Sequence, residues 1–139
     1  MFLLDTNVLS AMMNVLPAPL HDWLAGTPDR FLYTATLNQA ELLAGISVMP
    51  PGRRREGLQL AAISIFTDVF HGRIWPFDSS AAEAYADIVA QRRRSGLHID
   101  PVDLMIAAIA RIRDVAVVTR NVGDFAECGI EIIDPWDDA

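Results

Sequence analysis

Short runs rich in β-branched and aromatic residues punctuate this chain: FLL at 2–4, FLYT at 31–34, VAVVT at 115–119 and EII at 131–133. Each is too short for a stable helix, and segments with helical signals lie between them. Parallel strands need long crossovers, usually helical, so this alternation constrains the chain to an α/β domain with a mainly parallel sheet. Ligands of such sheets sit beyond the carboxyl ends of the strands. The polar residues that directly follow each run are therefore the ones to weigh.

Local signals place the connecting elements. A helix is expected over 7–13, ended by Pro17 and Pro19, and a short one over 20–25 before Gly26. Thr36 with Gln39 reads as a capping box, opening a helix that runs to Val48 and stops at Pro50-Pro51. A further helix is expected over 52–70, and an extended piece over 73–77. Asp78 caps a helix through Arg94, closed by Gly96. Asp100-Pro101-Val102-Asp103 combines an acidic cap, proline at the first helical position and an acid in the first turn, so a helix over 102–112 follows.

At 139 residues and 52% hydrophobic content, the chain reads as a single domain over 1–139 with an ordinary core. It contains no apolar run near the ~20 residues of a membrane span, and its N-terminus lacks a secretory pattern. Cys128 is the only cysteine, so neither an internal disulfide nor a cysteine-rich metal site is available. A cytoplasmic protein, with no membrane partner, is expected. All 11 basic residues are arginines, and the net charge is −7. That balance argues against non-specific coating of nucleic acid, which needs many phosphate neutralisations, but leaves room for a local contact.

The acids are out of place for a purely structural chain. Asp5 directly follows the first strand; a helix cap explains it alone. Glu41 sits in a helix that looks apolar nearly all round, where an unpaired carboxylate is costly. Asp103 is a second acid at a helix start already capped by Asp100, and close acids repel without a positive partner. Asp124 follows the run VAVVT within TRNVGD. Four segments thus deliver carboxylates to one expected edge. Oxygen ligands without His or Cys suit hard cations such as Mg²⁺ or Mn²⁺, and a metal-activated water attacking a phosphoester is the implied chemistry. His21, His71 and His98 are scattered with no HExxH spacing, so zinc is not expected.

Several rivals fail on composition. Haloacid-dehalogenase-like phosphatases use DxD where this chain has DTN, and they need a lysine; receiver domains and P-loops need one too. Neither GxSxG nor GxGxxG occurs.

LLDTNVLS, NQAELLAGI, DLMIAAIA and VVTRNVGDF, in this order and closed by IIDPW, resemble PIN-domain ribonucleases over essentially the whole chain. The likeness is closest to VapC toxins of bacterial toxin–antitoxin pairs, in the FitB-like branch. It implies a PIN-like α/β/α sandwich and a Mg²⁺- or Mn²⁺-dependent endoribonuclease that inhibits translation. It also implies a VapB-like antitoxin and a homodimer or larger assembly with it. By motif, Asp5, Glu41 and Asp103 match the family's principal acids. The family often has an aspartate where this chain has Asn121, with Asp124 three residues on, so the fourth metal and catalytic position falls to Asp124 or Asn121. Asn7 and Thr119 resemble its supporting polar residues.

Two other readings stay open: a non-catalytic PIN-like domain that binds RNA or protein, and a metal-dependent phosphatase. Arg120, beside the proposed ligands, is the candidate for a phosphate or antitoxin contact. The runs Arg53-Arg54-Arg55 and Arg92-Arg93-Arg94 read as a solvated face and a favourable helix C-terminus, with phosphate positioning or an antitoxin dock as the alternative. Trp75, Trp136 and Phe125 read as core or edge packing.

Overall fold

The computed structural model describes residues 1–137. Five strands, β1 (Phe2–Leu4), β2 (Leu32–Ala35), β3 (Ile74–Trp75), β4 (Ala116–Val118) and β5 (Ile132–Ile133), form one sheet in the order β3-β2-β1-β4-β5. All four pairings are parallel, with Leu4 in register with Val118 at the centre. From β1 the chain builds outward in one direction through β2 and β3, then returns to add β4 and β5 on the other side. The order reverses between β1 and β4, and that crevice is where a doubly wound sheet receives its ligand.

Alternation along the strands builds the two apolar layers. Leu3 and Val117 face a core shared with α5 (Ser79–Arg94) and α6 (Pro101–Arg113), where Leu104 and the run Ile106 to Ala110 are fully buried. Leu4, Leu32 and Val118 face the other core. There they meet Val8 and Leu9 of α1 (Thr6–Met12), Leu20 of α2 (Ala18–Ala25), Leu42 and Ile46 of α3 (Thr36–Ser47) and Ala62 of α4 (Arg53–Ser64). The period of two in the strands therefore sorts side chains between two helical layers. The result is the α/β/α sandwich that the family resemblance implies.

Several local expectations need correction. The helix expected over 52–70 is α4 followed by a wider π-helical turn, Ile65–Val69, which places Phe66 and Phe70 in the core. Pro19 does not end a helix; it stands in the first turn of α2, where its missing N–H costs nothing. Thr36 is not the cap of α3. Ala35 holds that position, and the Asn38 side chain accepts its backbone N–H at 3.3 Å. Nor is α3 buried nearly all round. Its buried stripe is Asn38, Leu42 and Ile46, one face at four-residue spacing, while Leu43 is 41% exposed. Among the described residues no helix is long and apolar enough to cross a membrane.

Candidate functional site

Asp5 and Thr119 are the first residues beyond the ends of β1 and β4, so they flank the switch point directly. The Asp5 backbone N–H donates to Val118 O at 2.9 Å, which continues the sheet pairing by one bond and sets the carboxylate. Asp5 is 3% exposed, and it caps α1. Its Oδ1 accepts the Thr6 backbone N–H at 2.8 Å and Asn38 Nδ2 at 3.0 Å. Its Oδ2 accepts Thr119 Oγ1 at 2.8 Å. Three donors favour the ionised form, yet burial outweighs them and pushes the Asp5 carboxyl above its ordinary range. The capping and site explanations are therefore both true of the same side chain.

A polar chain spreads from Asp5 in both directions. On one side Asn38 Nδ2 also reaches Thr6 Oγ1 at 3.1 Å, and Thr6 Oγ1 donates to Glu41 Oε1 at 2.9 Å. On the other, Asn7 Nδ2 donates to Thr119 Oγ1 at 3.2 Å, while Asn7 Oδ1 accepts the Arg120 backbone N–H at 3.3 Å. Asn121 contributes its backbone N–H to Thr119 Oγ1 at 3.0 Å. Asn38 and Thr6 were not singled out from sequence. The signal for Asn38 was its place three residues before Glu41, on one face of the same helix; for Thr6 it was adjacency to Asp5.

The remaining acids come from three other segments. Glu41 is an exposed residue at the rim, its carboxyl turned against Thr6; desolvation there, then the Asp5 and Asp100 charges, raise it. Asp103, in the first turn of α6, is pushed up to about 7 by burial and by Asp100, Asp5, Asp124 and Glu41 in that order. Asp124, in the 3₁₀ turn Val122–Phe125, raises both Asp5 and Asp103, so its charge reaches the centre. Asp100 belongs to the same field although its Oδ1 is occupied in capping the N–H groups of Val102 and Asp103. Among the described residues none of these five acids has an arginine or histidine within ion-pair distance.

Such a set fits a hard divalent cation by donor chemistry: all-oxygen, anionic and uncompensated. It does not form a closed cage. Among the described residues no three His, Cys, Asp or Glu side chains stand close enough to hold an ion by themselves. An ion that keeps part of its water shell suits this open ring, as Mg²⁺ does and zinc in a structural site does not.

Other residues resolve plainly. Arg92 is 3% exposed and spends its guanidinium on the carbonyls of His98 and Ala126 at 2.6–3.1 Å, so it is a structural clamp and is unavailable to a ligand. Arg55 donates to Met49 O, and Arg54 lines a cleft with Thr6, Glu41 and Leu58. Phe125 is fully buried, and Trp75 stacks on Tyr33 at 4.1 Å, as core packing requires. Trp136 is only half-buried.

Comparison with known proteins identifies the family and matches the fold. The chain is 38% identical over 138 residues to the plasmid stability protein StbB of Pseudomonas syringae pv. tomato, covering 99% of each chain. It is 36% identical over 140 residues to VapC ribonuclease Y4jK of Sinorhizobium fredii, covering 100% of each. With toxin FitB of Neisseria gonorrhoeae the identity is 32%, over 99% of this chain and 100% of the relative. The structure of FitAB bound to an IR36 DNA fragment matches with a TM-score of 0.92 and 30% identity, over 99% of this chain and 96% of that one. The PIN domain model matches residues 2–129, and the chain is a member of the PIN-domain family.

Proposed function

We propose that this chain is a Mg²⁺- or Mn²⁺-dependent endoribonuclease acting as the toxin of a toxin–antitoxin pair. The observation that carries the reading is the gathering of Asp5, Glu41, Asp100, Asp103 and Asp124 at the switch point with no ion-pair partner among the described residues; burial first and then these charges push Asp103 up to about 7. PIN-domain ribonucleases generally use a divalent metal, and relatives named as a ribonuclease and a toxin support the activity and its role.

Asp5, Glu41 and Asp103 would hold the ion, with Asp124 rather than Asn121 as the fourth contributor, since Asp124 alone of the two adds charge to the field. Once bound, the ion supplies Lewis-acid activation of water and neutralises charge on the phosphodiester. The chain's own residues do the rest. Thr6, Asn38 and Thr119 hold the Asp5 and Glu41 oxygens by hydrogen bonds, so two of these acids are oriented before the ion arrives. Asp103 must release its proton for full binding, so affinity rises as pH approaches and passes about 7.

A protein partner of VapB type, an antitoxin, is part of the same reading. Leu43, Leu60 and Ile63 are exposed apolar side chains on α3 and α4, and Leu43 and Ile63 border a cleft of about 310 Å³ between those helices. Unpartnered apolar patches of this sort mark interaction surfaces. The test is cleavage of single-stranded RNA by the highly purified protein with and without Mn²⁺. Cleavage that needs the metal and disappears in Asp5→Asn and Asp103→Asn is expected. Unchanged cleavage by both variants would defeat the assignment, and Mn²⁺-insensitive binding without cleavage would favour a non-catalytic PIN domain.

A further inference from the structure

A second cleft adjoins the acid centre on the other flank of α1 from Glu41. It has a volume of about 310 Å³ and is lined by Asn7, Ser10, Asn14, Val15, Arg120 and Trp136. Its size lies at the lower end of small-ligand sites. Arg120 is the only cation among the described residues that line it, and the Arg120 backbone N–H joins Asp5 through Asn7 and Thr119 in three successive hydrogen bonds. Arg120 is thus held in fixed relation to the acid centre while its side chain remains exposed. The guanidinium lies over the Trp136 ring at 5.8 Å from its centroid. Trp136 itself is anchored, packing against the α1–α4 core and donating its backbone N–H to Asp134 Oδ1 at 2.9 Å.

These observations combine two recognition chemistries. A guanidinium that stacks on a ring keeps its in-plane N–H fork free for a phosphate. A rooted indole beside it offers a π surface to a nucleobase, and a base stacked on an aromatic side chain gains about 1–3 kcal/mol. The acid centre repels a polyanion, so a single cation fixed at its border is placed where a flanking phosphate needs neutralising. Resting on the endoribonuclease reading, we propose that the Arg120–Trp136 cleft is the subsite for the nucleotide next to the scissile bond. Its base stacks on the exposed part of the half-buried Trp136 ring, its phosphate pairs with Arg120, and the strength of stacking on Trp136 sets a modest base preference at one position beside the cut. Trp136 keeps the packing role expected for it and takes this second role with its exposed part.

The experiment uses the full chain and two RNA probes. A pool of random-sequence single-stranded dodecamers with Mn²⁺ reports cleavage sites through sequenced ends. Oligo-U, oligo-A, oligo-C and oligo-G hexamers in EDTA report binding by anisotropy, without cleavage. Trp136→Leu is expected to flatten the preference at a single position next to the cut and to weaken hexamer binding about tenfold, the scale of one stacked base. Trp136→Phe keeps a ring and restores most of both. Arg120→Gln is expected to weaken hexamer binding by a similar factor while the base preference persists.

Trp136→Leu with wild-type preference and wild-type hexamer affinity overturns the subsite. Failure of Trp136→Phe to restore either, with a lowered melting temperature, overturns it in favour of a structural role. Weakened binding of a co-purifying protein partner with RNA binding intact overturns it in favour of a protein contact. A wild type that cuts no RNA removes the endoribonuclease reading instead. In that event hexamer binding decides the subsite separately, and no binding by the wild type overturns it too.

Discussion

The two ends of α6 show what separates structural charge from functional charge. At its C-terminus Arg111 and Arg113 stand beside Asp114 and near Glu131, and cations there complement the helix dipole. Opposite signs are mixed, Arg113 covers Trp75, and Arg111 packs against Gly129, where an added Cβ would lie 3.6 Å from Nε. The cavity there is only about 90 Å³. At its N-terminus Asp100 and Asp103 likewise suit the dipole, but Asp5, Glu41 and Asp124 add charge from three other segments. A helix terminus explains one or two acids; it does not explain five with no ion-pair partner among the described residues. The excess over local need, rather than the presence of acids, marks the site.

The largest expected effect tests that contrast outright. Asp5→Asn or Asp103→Asn should lower Mn²⁺-dependent RNA cleavage roughly 10²-fold or more, as loss of groups that stabilise developing charge does. Glu131→Gln at the other edge should leave cleavage within about twofold, as surface changes usually do. Equal losses at both edges, measured as kcat/KM on one RNA, would erase the distinction.

Next in size is Asn38→Ala, which removes a donor shared by Asp5 and Thr6 and the acceptor of the Ala35 N–H. A supporting residue of this type is worth about 10–100-fold in metal affinity or activity, here read by Mn²⁺ titration. The same variant should lose about 1–3 kcal/mol in urea unfolding, because buried groups are left unpaired. Arg92→Met sharpens the contrast between kinds of arginine. It strips the carbonyls of His98 and Ala126 of their donor, so a loss of about 2 kcal/mol is expected with the metal affinity kept.

The smallest effect is the pH dependence. Asp103 has an ordinary value of 3.8 and is raised to about 7 in the fold, so the native state binds more protons than the unfolded chain between those values. Its contribution is fully present below about pH 4 and is lost as pH rises through about 7. Melting in EDTA should therefore fall over that window, by about 3–5 °C per kcal/mol lost. Asp103→Asn should flatten the decline, and Mn²⁺ should oppose it. A decline as steep in Asp103→Asn as in the wild type would assign it to other groups.

Much of this molecule was legible in the residues. The strand at 2–4, the strand Ala116–Val118 within the run expected at 115–119, the acidic start of α6 and the reasons for weighing the four acids all follow from short-range chemistry: strand propensity, capping and the cost of an unpaired charge. Some details were not. Thr36 has the composition of a cap, yet Ala35 takes the position because β2 extends that far and Asn38 turns back to bond it. Arg92 reads like Arg93 and Arg94, and only the return of the loops at 95–100 and 126–128 buries it. Leu43 and Val48 looked like core, and they face outward because α3 packs along a single stripe.

The residues by themselves determined the fold class and the acids, because periodicity, caps and misplaced carboxylates are properties of neighbours in the chain. The tertiary structure decided which groups act together. Asp5 and Thr119 are 114 positions apart and bonded, and Asn38 serves as cap, clamp and bridge at once. Sheet order brings β1 beside β4, and the burial and neighbouring charges that lift Asp103 to about 7 depend on packing and distances through space, which no local pattern encodes.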